Sequence, residues 1–207
     1  MSTSPKAFLT PEQYLEIERR AEFRSEYYQG EMFAMAGPLA MAGARRNHNL
    51  LAGNAFGQIH AQLRHHDCEV YSNDMRVRVA ATGLYAYPDI VIACGLIEFL
   101  DANEDTLLNP TVIVEVPSAS TEAYDRGKKF EIYRSLDSLN EYVLVSSDRI
   151  QIEHYGRQSE GKWLLTAASR LEDTLDLESA GCSLRLADVY ERVEFAPAAE
   201  DAPRAGT

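Results

Sequence analysis

Apolar and polar positions change their spacing several times along the chain, and each change marks an element. Leu50, Leu51, Ala55, Ile59 and Leu63 recur at three- and four-residue steps, which predicts a long helix over about 44–64 with one buried face. Upstream, Thr10-Pro11-Glu12-Gln13 combines an N-cap residue, a proline at the first helical position and an early acid. A helix is predicted from there to about Arg20, with Tyr14, Leu15 and Ile17 turned inward. Residues 24–35 read as two strands turning at Gln29-Gly30. A small-residue loop, Ala36 to Gly43, follows them. Strands are expected at Glu69–Tyr71, Met75–Ala80, Asp89–Cys94 and Thr111–Val116, and the acidic stretch Glu98–Pro110 reads as a surface loop. Helical spacing returns after Thr121, with Tyr124, Phe130, Tyr133 and Leu136 as an interrupted stripe. Glu141–Ser146 is another buried strand, Gln151–Tyr155 and Lys162–Ala167 form a hairpin around Gly161, and Leu184–Val193 suggests a short last helix.

This order predicts a mixed α/β (α+β) fold built on one sheet. A single domain is expected over residues 10–195, between a loose lead-in at 1–9 and an uncored, disordered tail of Ala, Pro and acid at 196–207.

Composition narrows the classes. A chain of 207 residues with 45% hydrophobic content supports one filled core. No apolar run approaches the roughly 18 residues a membrane helix needs, and the N-terminus lacks a basic-then-apolar leader, so no membrane and a cytoplasmic location are expected. Cys68, Cys94 and Cys182 are odd in number, far apart and set among apolar residues, which predicts reduced core thiols. A net charge of -12 argues against a nonspecific nucleic-acid coat. A local basic face is still available from Arg45-Arg46 or from Arg126-Gly127-Lys128-Lys129.

The candidate chemistry lies in two of the apolar runs. Asp89 is the only charge between Tyr85 and Ala93, and Glu115 interrupts Thr111–Val116 in the same way. Two buried carboxylates on neighbouring strands repel strongly unless a cation, a proton or a lysine lies between them. Hard oxygen ligands on rigid strands suit Mg2+ or Mn2+. Lys129, on the next predicted helix, could stabilise charge on a phosphodiester or orient the attacking water. Lys128 points about 100° away on that helix, so only one of the two can face the site. On spacing alone, solvated edge carboxylates are the more common explanation of such acids in so acidic a chain.

The ordered series Gly30-Glu31-Met32 with Met35-Ala36-Gly37, His48-Asn49, Ser72-Asn73-Asp74-Met75-Arg76-Val77, Tyr87-Pro88-Asp89, Val114-Glu115-Val116-Pro117-Ser118, Asp125–Tyr133 and Glu141–Val145 resembles the Uma family of restriction endonucleases, within the PD-(D/E)XK nuclease superfamily. The resemblance spans about residues 10–193. It implies a restriction-endonuclease-like core, a central mixed sheet flanked by helices with an added N-terminal hairpin, and Asp89 and Glu115 as metal ligands. Pro117 stands where the superfamily carries its lysine, and the family motif maps that role onto Lys129.

Other positions have two readings each. Glu31 is a third metal-binding acid or a surface residue beside the turn. His48 is a substrate contact or a capping and packing residue. Asp125 and Arg126 read as a local ion pair, with Arg126 also a candidate phosphate contact. Tyr124 and Tyr133 read as core. The expectation is a Mg2+- or Mn2+-dependent endonuclease acting on DNA, with Asp89, Glu115 and Lys129 as its catalytic set and a homodimer as its expected assembly. The alternatives are a noncatalytic nuclease-like module that binds nucleic acid or protein, and a structural or regulatory oligomer.

Overall fold

The computed structural model describes residues 8–35, 46–118 and 121–195. The expected lead-in up to Ala7, the small-residue loop at Ala36–Gly43 and the tail from Ala196 lie outside the described residues.

Helix α1 (Pro11–Glu18) starts as its sequence dictates: the Thr10 hydroxyl accepts from the Gln13 amide while the Gln13 side chain accepts from the Thr10 amide. Its buried residues are Tyr14, Leu15 and Glu18, whereas Ile17 is 45% exposed. Glu18 displaces it inward because its carboxylate accepts from the Ser25 amide and the Tyr87 hydroxyl. Strands β1 (Ser25–Tyr28) and β2 (Glu31–Ala34) form the expected hairpin. Gln29 and Gly30 both take positive φ, +49° and +87°, as the tight turn requires. Helix α2 (Arg46–Leu63) buries Leu51, Ala55, Ile59 and Leu63.

The described residues form three sheets where one was expected. The main sheet holds β3 (Cys68–Ser72), β6 (Ile90–Cys94), β8 (Val112–Glu115), β9 (Glu141–Val145), β10 (Ile152–Arg157) and β11 (Trp163–Ala168), in the order β11-β10-β9-β8-β6-β3. Its pairs are antiparallel except β8 with β9, so the sheet is mixed. The second sheet joins the hairpin to β4 (Arg76–Val79), β5 (Leu84–Ala86) and β7 (Thr106–Leu107), in the order β2-β1-β5-β4-β7. The segment Glu98–Pro110 is therefore not all surface loop, since Thr106 and Leu107 are buried beside β4. A third, small sheet pairs β12 (Thr174–Leu177) with β13 (Cys182–Arg185), just before helix α5 (Leu186–Val189).

Alternation along the main sheet divides the core in two. Ile90, Ile92, Val112, Val114 and Val143 face α2, β13 and α5, while Val91, Ala93, Ile113, Tyr142 and Leu144 face the second sheet and the helix carrying Ile132 and Tyr133. Helices therefore flank a central mixed sheet.

The cysteines correct an expectation. Antiparallel register sets Cys68 directly opposite Cys94, and the two form a disulfide. Only strand pairing brings them together, which spacing along the chain does not show. Cys182 remains a free, buried thiol.

Candidate active site

β6 and β8 run antiparallel with Ile90 opposite Val114. One step further along the same register, Asp89 falls opposite Glu115, and in a pleated sheet such partners share a face. That face is the one turned toward the second sheet, because Asp89 and Glu115 lie two positions from Val91 and Ile113 and so share their face. The two acids thus meet at one end of the main sheet. Asp89 is held from two sides: its Oδ2 accepts from the Val116 amide at 2.8 Å, and its Oδ1 lies 3.2 Å from His48 Nε2. His48 comes from the first turn of α2, which closes this sheet end from the opposite layer.

Lys129 arrives on a helix with an altered winding. Residues Glu122–Tyr124 (α3) and Phe130–Tyr133 (α4) are α-helical, but Asp125–Lys129 between them form a π turn in which the Phe130 amide donates to the Asp125 carbonyl. That carbonyl also accepts from the buried Tyr142 hydroxyl at 3.0 Å. Such turns recur at functional sites because they re-aim side chains. Here Lys129 Nζ sits 2.8 Å from Glu115 Oε1, 3.4 Å from Glu26 Oε1 and 3.7 Å from Asp125 Oδ1. Lys128, half exposed, points away to Glu131, as the helix geometry predicts.

The site is buried and carries surplus negative charge. Side-chain exposure is 6% for Glu115 and 8% for Lys129. Burial pushes the Glu115 carboxyl up to about 8, reinforced by the nearby Asp89 and Asp125 and opposed by Lys129. Burial also raises Asp125. Burial works against the Lys129 ammonium, but Glu115, Tyr133, Glu26 and Asp125 outweigh it and hold the amine well above its ordinary value. His48 is raised chiefly by its hydrogen bond to Asp89. Asp89, Glu115, Glu26 and Asp125 outnumber the one ammonium and one imidazole that face them, an imbalance relieved by protonation, as the raised Glu115 carboxyl shows, or by a cation.

Sequence reasoning missed three members of the site. Glu26 reaches Lys129 from the hairpin strand β1, and nothing in its local pattern marks it. Glu31, the hairpin acid selected from sequence, lies opposite Tyr28, on the same hairpin face as Glu26. Asp125 was paired with Arg126 by proximity, whereas its i,i+4 spacing to Lys129 is the signal that finds the observed contact. The hydroxyl of Tyr133, a fully buried residue, donates to Glu115 at 3.4 Å. Tyr124, expected in the core, is 41% exposed. Arg126 turns to another side of the helix, where Glu153 and Glu122 accept from its guanidinium at 2.9 and 2.8 Å.

Among the described residues no cluster of three or more His, Cys, Asp or Glu side chains is arranged to hold a metal ion. The paired carboxylates of Asp89 and Glu115 still fit Mg2+ or Mn2+, which take one or two protein carboxylates and keep several waters. No helix among the described residues is long and apolar enough to cross a membrane.

A mixed sheet bearing two acids at one end, with a lysine brought in by the next helix, is the architecture of a restriction-endonuclease-like, nuclease-type fold. A solved structure described as a putative nuclease belonging to DUF820, from Anabaena variabilis, superposes with a TM-score of 0.68 over 88% of this chain and 98% of that one, at 16% identity. The chain belongs to the Uma2 family, described as "Putative restriction endonuclease", which matches residues 11–187. Two uncharacterized proteins of Synechocystis sp., slr1290 and sll1609, are each 32% identical to it. They align over 93% and 80% of this chain and over 97% and 90% of their own lengths.

Proposed function

We propose that this chain is a metal-dependent endonuclease that hydrolyses phosphodiester bonds in DNA. The observation carrying this reading is the juxtaposition of Asp89, immediately before β6, with Glu115, the last residue of β8, and the Lys129 ammonium 2.8 Å from Glu115. Membership of the Uma2 family supports it. In this reading Asp89 and Glu115 hold Mg2+ or Mn2+. When bound, the ion supplies charge neutralisation at the phosphate and a water of lowered pKa.

The remaining work falls to the chain's own groups. Lys129, kept protonated by its acidic neighbours, donates to a phosphate oxygen or to the attacking water and stabilises charge as it develops. Asp125 and Glu26 position that ammonium. His48 and the Val116 amide fix the two oxygens of Asp89 and thereby its orientation. Glu31 is retained as a further acid from the hairpin. Arg126, held by two carboxylates, anchors the lysine-bearing helix and is not assigned to substrate.

Nicking of supercoiled plasmid tests the proposal. Parent protein should cut with Mg2+ or Mn2+ and not with EDTA, and Asp89→Asn, Glu115→Gln and Lys129→Met should each lose at least about a hundredfold in rate. Equal cleavage by parent and variants removes these residues from the mechanism. No cleavage, together with no Mn2+ binding that depends on Glu115 in a calorimetric titration, leaves a noncatalytic binding module.

A further inference from the structure

The main sheet ends on β11, and this edge differs from the other long edges. The opposite edge, β3, carries Glu69, and the hairpin edge β2 carries Glu31. β11 reads Trp-Leu-Leu-Thr-Ala-Ala, without a charge or a proline. Leu164 and Leu165 are 55% and 52% exposed, so apolar surface is open on both faces of the strand. Soluble proteins ordinarily blunt such an edge with lysine, proline or a bulge, because its unpaired amides and carbonyls template another strand. Neither lysine nor proline interrupts β11.

Backbone directions identify which groups face outward. Arg157 donates its amide to Asn140, on the β9 side, so Glu153, Tyr155 and Arg157 direct their ladder groups away from β11. The Gln158 amide donates to the Lys162 carbonyl, which places the even-numbered positions of β10 on the β11 side. Leu164, Thr166 and Ala168 therefore pair inward with Gly156, His154 and Ile152. The amides and carbonyls of Trp163, Leu165 and Ala167 point out of the sheet.

We infer that β11 is the contact through which two copies of this chain associate, antiparallel, about a two-fold axis centred on Leu165. That axis sets Leu165 opposite its own copy and Trp163 opposite the partner's Ala167. Each facing pair exchanges two main-chain hydrogen bonds using the outward-directed groups. The same strand serves both sides, as an isologous interface demands. Charge favours a second copy over an unrelated peptide: Glu160, paired with Lys162, precedes the strand and Arg170, paired with Glu172 and Asp173, follows it, so the axis sets mixed-sign charge clusters of the two copies opposite each other at each end of the strand. Elsewhere a net charge of -12 keeps copies apart, and the uncharged edge is where close approach costs least. The joined strands would make one continuous sheet across both molecules. This inference stands independently of the nuclease reading.

Sedimentation and native mass measurement at about 50 µM test it, a concentration suited to an interface of modest area. A dimer is expected, and Leu165→Lys, which places a charge at the axis on an already half-exposed position, should raise its dissociation constant at least about tenfold. Leu165→Cys should yield a disulfide-linked dimer under mild oxidation, while Leu171→Cys, exposed but off the strand, should not. Circular dichroism of each variant checks that the fold is kept. A parent protein monomeric at that concentration overturns the inference. So does a dimer that is unmoved by Leu165→Lys and not crosslinked through Leu165→Cys.

Discussion

Glu115 shows how one side chain can place stability and function in opposition. Its carboxyl titrates near 8 in the fold, well above an ordinary glutamate, because burial disfavours the charged form. A raised folded-state value means that the contribution to stability is fully present below the ordinary carboxyl value and is lost as pH rises through about 8. Denaturant titrations in EDTA should therefore show the parent losing stability between pH 5 and pH 9, and Glu115→Gln should flatten that loss. A parallel decline in both proteins would place the cause elsewhere. Mn2+, which requires the carboxylate, should stabilise the parent more at the alkaline end.

Among the elements, the π turn at Asp125–Lys129 most directly shapes the site. In an uninterrupted α-helix Lys129 would be aimed differently. The turn persists because surrounding groups satisfy it: the Phe130 amide and the Tyr142 hydroxyl both donate to the Asp125 carbonyl, and Lys129 pairs with Asp125 from the same segment. Tyr142→Phe removes one donor without changing the packing volume. It should cost about 1–2 kcal/mol in urea unfolding, the usual effect of leaving a buried acceptor short of a partner. A cost near zero would show that the turn holds without this bond. The helical stripe of Phe130 and Tyr133 was readable from spacing, but the change of winding was not. Nothing in Asp125-Arg126-Gly127-Lys128-Lys129 marks it, because the stabilising hydroxyl comes from β9.

At the scale of the whole molecule, the disulfide ties the outer strand β3 to β6, the strand that follows Asp89. Thiol titration of the unreduced, denatured protein should find one reactive cysteine, Cys182, and three after reduction. With a sequence separation of 26, the crosslink should contribute about 3 kcal/mol. Cys68→Ser should therefore match the reduced parent in denaturant. Three free thiols in the unreduced protein would remove the crosslink from the account.

What the sequence by itself determined is local or periodic. The capping box of α1, the Gln29-Gly30 turn, the buried stripe of α2 and the acid within each of two apolar strands follow from residue types at short spacing, where a few neighbours set the conformational preference. Asp89, Glu115 and Lys129 were legible because each interrupts or continues such a pattern within an ordered series of motifs. The tertiary structure decided the rest through pairings between distant segments: the division into three sheets, Cys68 opposite Cys94, Glu18 drawn inward by Ser25 and Tyr87, and Glu26 carried to Lys129 by the hairpin. The physical reason is that a burial site or an ion pair belongs to two surfaces at once. A chain read in order shows only one of them.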